Sequence, residues 1–169
     1  TRIGKIIAEK AAKNLTPITL ELGGKSPCIV DSGVNIDKVA KRIVSGKFVN
    51  CGQTCIAPDY IVVNQHIKSN LVSAIKENII KTFGNSPIDS ESYGRIINID
   101  NLNRIKNVLK NQKVEFGGKI SSDRLYIEPT IIIDPDMNSE IMNEEIFGPI
   151  LPILSLSLIH ISEPTRQAS

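Results

Sequence analysis

The chain has 169 residues, 41% of them apolar and 22% charged, and its twenty Lys and Arg against eighteen Asp and Glu leave a formal charge of +2. That length suits one domain with a buried core, and the composition excludes extended disorder. The lack of a basic stripe with interleaved aromatics sets nucleic acid aside as a partner, and the lack of about eighteen consecutive apolar residues means that no membrane span is indicated.

The chain opens on Thr1 and enters a helical pattern at once, as a piece of a longer protein would. Ile3, Ile7 and Ala11 recur every four residues and predict a short amphipathic helix ending near Asn14, before Pro17. Ile18 to Leu22 reads as a strand running into Gly23-Gly24, and Cys28 to Val30 as a second short strand after Pro27. Asn35 is the expected cap of a helix whose apolar face is Ile36, Val39, Ala40, Ile43 and Val44. Tyr60 to Val63, rich in β-branched and aromatic side chains, is the next strand. Ile67, Leu71, Ala74, Ile75 and Ile79 then stripe a helix that stops at Gly84. A further helix takes Asp100 as its cap, buries Leu102, Ile105 and Leu109, and ends before Gly117-Gly118. Strands are expected at Tyr126 to Glu128 and at Ile131 to Ile133. Strands alternating with helices of this length give an α/β class with a largely parallel sheet and flanking helices. From Ser155 to Ser169 the apolar residues alternate loosely and then disperse, and the stretch attaches to no element.

Three short strings carry chemistry. Cys55 ends the run Asn50-Cys51-Gly52-Gln53-Thr54-Cys55, a small polar turn between a helix and an apolar strand, where a thiol is accessible and uncrowded backbone N–H groups can activate it. A free thiol is only a few per cent ionised at neutral pH, so a nucleophile needs such donors. Glu21 lies in Leu20-Glu21-Leu22-Gly23-Gly24-Lys25 at an expected strand end, where ligands of open α/β sheets bind, and flanking leucines would raise its pKa toward that of a general base. Glu145 and Phe147 lie in Glu144-Glu145-Ile146-Phe147-Gly148-Pro149, where a carboxylate beside an apolar plate suits sugar hydroxyls beneath a flat ring. Each string also has an ordinary reading: an inert buried thiol, a solvated strand carboxylate, a turn with an acidic face. Cys51 and Cys55 make a C-x-x-x-C with no second pair, and His66 and His160 have no ligand spacing, so no metal is expected. Cys28 reads as core. The odd cysteine count fits a reducing, cytoplasmic compartment. Gly23-Gly24-Lys25-Ser26 lacks the upstream glycine of a phosphate loop.

In this order Leu20-Glu21-Leu22-Gly23-Gly24-Lys25-Ser26-Pro27, Gly52-Gln53-Thr54-Cys55 and Glu145-Ile146-Phe147-Gly148-Pro149 resemble the aldehyde dehydrogenase superfamily. Gly46-Lys47-Phe48, Ala57-Pro58-Asp59-Tyr60 and Tyr93-Gly94-Arg95-Ile96-Ile97 are most similar to its class 3, fatty-aldehyde branch. The resemblance implies oxidation of a small-molecule aldehyde to a carboxylate with NAD or NADP, in a homodimeric parent enzyme. It makes Cys55 the nucleophile, Glu21 the base that activates water, Glu145 the holder of the nicotinamide-side ribose, and Phe147 the residue that positions the nicotinamide. It also implies that residues 1–20 end a dinucleotide-binding domain, that 21–154 are part of the catalytic domain, and that 155–169 are a tail foreign to the family, with Leu158 to Gln167 similar to translated sequencing adapter. The family's chains are much longer, so the 169 residues alone are expected to turn over little. Two rivals differ in what they predict: a cofactor-independent thiol hydrolase or acyl transferase would need no nicotinamide, and a mis-assembled, non-enzymatic product would show no cooperative unfolding.

Overall fold

The computed structural model describes residues 2–156. In chain order its elements are α1 (Arg2–Ala12), β1 (Pro27–Val30), α2 (Ile36–Phe48), β2 (Tyr60–Asn64), α3 (Lys68–Phe83), α4 (Ile99–Leu109), β3 (Val114–Phe116), β4 (Ile120–Ser121), β5 (Tyr126–Ile127), β6 (Thr130–Ile133), α5 (Glu140–Asn143) and β7 (Ile150–Leu156), with single 3₁₀ turns at Val49–Gly52 and Pro87–Asp89. The main sheet runs in the order β1-β2-β7-β6-β3. Its first four strands are parallel, and β3 joins β6 antiparallel. The α/β class read from the sequence is the one observed.

Asn35 caps α2 as expected, its side chain accepting from the Lys38 N–H. Gly84 closes α3 with φ of 78°, a conformation that glycine adopts without strain. These two helices pack on each other and share one buried core with the sheet, and Phe48, Phe83, Tyr93 and Tyr126 continue that core as a chain of edge-to-face rings with centroids 4.9 to 6.4 Å apart. The last strand, β7, lies between β2 and β6 with Ile150, Leu151, Pro152 and Ile153 all buried, as a strand covered on both faces must be.

The parallel register places the three strings at one edge. Pro27 pairs with Tyr60, and Ile61 with Ile153, so β1, β2 and β7 begin side by side. Leu20 to Ser26 lead into β1, the Cys55 turn into β2, and Glu145 to Pro149 into β7. The site therefore sits at the amino ends of these strands, not at a carboxyl end as expected from Glu21.

Several local expectations are corrected. Ile18 to Leu22 forms no strand, and no segment among the described residues pairs with it. Leu20 and Leu22 pack instead on α1, where a Cβ on Gly4 would stand 2.7 Å from Leu22 Cδ2. The helix α1 forms, but Ile3 and Ile7 are exposed, and Gly4 is its buried position. The cap of α4 is Asn98, which accepts from the Asn101 N–H at 2.9 Å, while Asp100 lies in the first turn. That helix ends at Leu109, and β3 follows before Gly117. Cys28 is only half-buried at the margin of the core. Of the supposed tail, Ser155 and Leu156 belong to β7, and 157–169 lie outside the described residues.

Candidate active site

The thiol turn is built by three successive residues with positive φ, Asn50 (51°), Cys51 (56°) and Gly52 (73°), which reverse the chain as it leaves α2. Non-glycine residues there carry strain and need outside support. Side-chain amides provide it. Asn50 Nδ2 donates to Gln53 O at 3.0 Å, and Gln53 Nε2 donates to Asn50 O at 3.1 Å and to Arg95 O at 2.9 Å. Gln53 Oε1 in turn accepts from the Ile97 N–H at 3.0 Å, tying the turn to the segment before α4.

This reversal separates the two cysteines. Cys51 is fully buried, its Sγ 3.5 Å from the Tyr93 hydroxyl, which itself donates to Ile127 O, and burial pushes its thiol up to about 11. Cys55 is exposed and is the second residue of a tight turn in which the Ala57 N–H donates to Thr54 O. Among the described residues no acceptor takes the Cys55 backbone N–H. The accessible thiol thus carries an unspent donor on its own residue, the arrangement that stabilises an oxyanion formed at that sulfur.

Glu21 is exposed, since its neighbouring leucines turn toward α1 and leave it outside the apolar setting expected for it. No hydrogen bond or ion pair joins it to Cys55 among the described residues. Its string does reach Glu145: a Cβ on Gly23 would stand 2.7 Å from Glu145 Oε2, so the glycine backbone lies directly against that carboxylate. Glu145 is half-buried and takes no side-chain hydrogen bond from the described residues, leaving both oxygens available to hydroxyl donors. Phe147 has φ of 45° and a partly exposed ring. A cleft of about 760 Å³ opens between the two strings, lined by Gly23, Gly24, Lys25, Asn101, Arg104, Asn143, Glu144, Glu145 and Phe147. Its glycine wall, free carboxylate and apolar plate fit a ribose that carries a flat ring. No group of three or more His, Cys, Asp or Glu that could hold a metal occurs among the described residues.

The residues that join these strings carry no motif of their own in the sequence. Lys25 forms an ion pair with Asp59 and donates to Ile141 O at 3.0 Å and Glu144 O at 2.7 Å. Asp59, buried to 4% exposure, accepts from the Ile146 N–H at 3.0 Å, and its own N–H donates to Ser26 O at 2.9 Å. Arg104, on α4, donates to Ile146 O at 2.7 Å and more weakly to Glu145 O at 3.4 Å. Lys47, at the end of α2, is 1% exposed, and burial lowers its pKa to about 8 against the attraction of Asp59. A charged residue just before an apolar strand, as Asp59 is, was the available signal.

The sequence model described as "Aldehyde dehydrogenase family" matches residues 1–161. The chain belongs to the aldehyde dehydrogenase family. It is 50% identical over 156 residues to "Aldehyde dehydrogenase family 3 member A2" of Mus musculus, covering 92% of this chain and 32% of that one. It is 48% identical over 154 residues to "Aldehyde dehydrogenase, dimeric NADP-preferring" of Rattus norvegicus, covering 91% of this chain and 34% of the relative. Among solved structures, the substrate-bound state of Staphylococcus aureus AldH superposes with a TM-score of 0.89 at 43% identity, over 98% of this chain and 37% of that chain. This aldehyde dehydrogenase chain therefore spans about a third of the length of the curated relatives it matches. The class 3 resemblance agrees with these relatives, and family membership disfavours the cofactor-independent hydrolase.

Proposed function

We propose that a protein of the relatives' length carrying this segment oxidises an aldehyde to a carboxylate with NAD or NADP. The observation that carries the reading is the meeting of three strings at the amino ends of β1, β2 and β7, with the exposed Cys55 thiol and its free N–H among them. In this reading the Cys55 thiolate adds to the carbonyl carbon, and the oxygen takes up the electron pair as an oxyanion held by the Cys55 N–H. When bound, NAD or NADP would supply the acceptor for the hydride that leaves this carbon, so that a thioester would remain on Cys55. Glu21 then takes a proton from water, the hydroxide adds to the thioester carbon, the sulfur leaves as thiolate, and the carboxylic acid formed gives up its proton to solvent as the carboxylate product. The exposure of Glu21 leaves it open to that water. Glu145 would hold the ribose hydroxyls of the cofactor and Phe147 would position its nicotinamide. Residues 21–154 act as part of the catalytic domain, and 1–20 as the end of the dinucleotide-binding one. The rat relative described as dimeric supports a homodimer.

The full-length protein is expected to form NAD(P)H when given a fatty aldehyde, and Cys55→Ser to reduce that rate to background. Undiminished turnover by Cys55→Ser refutes the assignment.

A further inference from the structure

We propose that Lys25, Asp59 and Arg104 are positioning residues whose task is to hold the backbone of Glu144 to Ile146 so that the Glu145 carboxylate stays free and aimed into the cleft. The proposal rests on the reading of Glu145 as the ribose holder.

The segment between α5 and β7 has no ladder or helix to satisfy its backbone, yet its polar groups are taken one after another by charged side chains. Glu144 O accepts from Lys25 Nζ, Glu145 O and Ile146 O accept from Arg104, and the Ile146 N–H donates to Asp59 Oδ1. The three side chains come from the base string, from the exit of the thiol turn and from α4, so each of the other elements around the cleft sends one group to the same short segment. Lys25 also pairs with Asp59, which satisfies both charges. A buried ion pair is no general source of stability, since apolar side chains of similar volume often serve as well or better. What this one gives is geometry: charge-assisted bonds fix direction more tightly than packing does.

Two further observations fit a presenting device. Phe147, next in the chain, has φ of 45°, a strained state for a bulky residue that persists only under firm restraint. Gly148, the residue after it, lies against the backbone of the thiol turn, where a Cβ on Gly52 would stand 2.6 Å from Gly148 C. Glu145 itself is left without a donor among the described residues. The backbone on both sides of Glu145 is bound, while its functional group is free for a ligand.

The test uses the full-length protein, with NAD and NADP as probes and Cys55 alkylation to count intact sites. Lys25→Met and Arg104→Met are expected to raise the cofactor Kd about tenfold, the size of one charged hydrogen bond lost, with the alkylation rate of Cys55 in the absence of cofactor within about twofold of the parent. Arg104→Lys, which keeps one donor, is expected to fall between. Glu145→Gln should raise Kd by itself, and adding Lys25→Met should then raise it little further, since both act through one carboxylate. Additive effects in that cycle, or an unchanged Kd per intact site in Lys25→Met and Arg104→Met, overturn the positioning role alone. Failure of the unsubstituted protein to bind either cofactor overturns the reading of Glu145, and this proposal with it.

Discussion

Gly52 is where the thiol turn touches the segment that holds Glu145 and Phe147, and its replacement by alanine perturbs both at once. Its φ of 73° costs an L-residue about 1–3 kcal/mol, which the fold must absorb. The steric demand is larger. A Cβ there would stand 2.6 Å from Gly148 C, closer still to the Gly148 carbonyl oxygen, and 3.1 Å from Lys47 O. Real Cβ atoms essentially never approach nearer than 3.0 Å, so Gly148 must retreat by at least 0.4 Å, the difference between 3.0 and 2.6 Å. Gly148 follows Phe147 directly, and the displacement passes to the residues assigned to the nicotinamide. Misplacement of about 1 Å can cost a hundredfold in rate, so Gly52→Ala is expected to lower kcat/KM about tenfold. Steady-state kinetics on the full-length protein measure this, with Cys55 alkylation confirming that the thiol remains accessible. A kcat/KM within twofold of the parent, in a protein with normal Cys55 labelling, would refute the contact between the two loops.

Two further outcomes follow from the buried groups beneath the site. Lys47 has its pKa lowered from 10.5 to about 8, so the folded state disfavours its charged form, fully below pH 8 and progressively less as pH rises toward 10.5. Lys47→Met is therefore expected to raise stability at pH 7 by up to about 3 kcal/mol, a gain that shrinks to nothing near pH 10.5 in urea unfolding; a loss at pH 7 would mean that attraction to Asp59 outweighs burial. For the cysteines, iodoacetamide at pH 8 should modify Cys55 and leave Cys51 untouched in peptide mass maps, since a thiol pushed up to about 11 is only about 0.1% ionised there. Equal labelling of the two would contradict the inward turn of Cys51.

Much of the layer architecture was legible because helical stripes and β-branched runs follow from local periodicity. Asn35, Gly84 and the strand from Tyr60 were read correctly for that reason. β7 escaped because Pro152 interrupts its apolar run, and a proline argues against a central strand until a partner on each side is known. Ile18 to Leu22 failed in the opposite sense: alternation is a property of the segment, but a strand needs a neighbour, and the leucines found α1 instead. The three site strings were visible as unusual local compositions. Their convergence was not, since it depends on β1, β2 and β7 being parallel neighbours, a relation between distant segments. Lys25, Asp59 and Arg104 stayed hidden for the same reason, because each looks like an ordinary charged residue until its partners are placed.

The proposed division of labour between Cys55 and Glu21 is tested most directly by mass spectrometry of the full-length Glu21→Gln protein, mixed with a fatty aldehyde and NAD(P) and quenched after one turnover. The expected result is one equivalent of NAD(P)H with the acyl mass retained on the peptide that holds Cys55, because the thioester forms and cannot be hydrolysed. An acyl group on any other residue, or cofactor reduction with no acyl adduct and undiminished turnover, would contradict it.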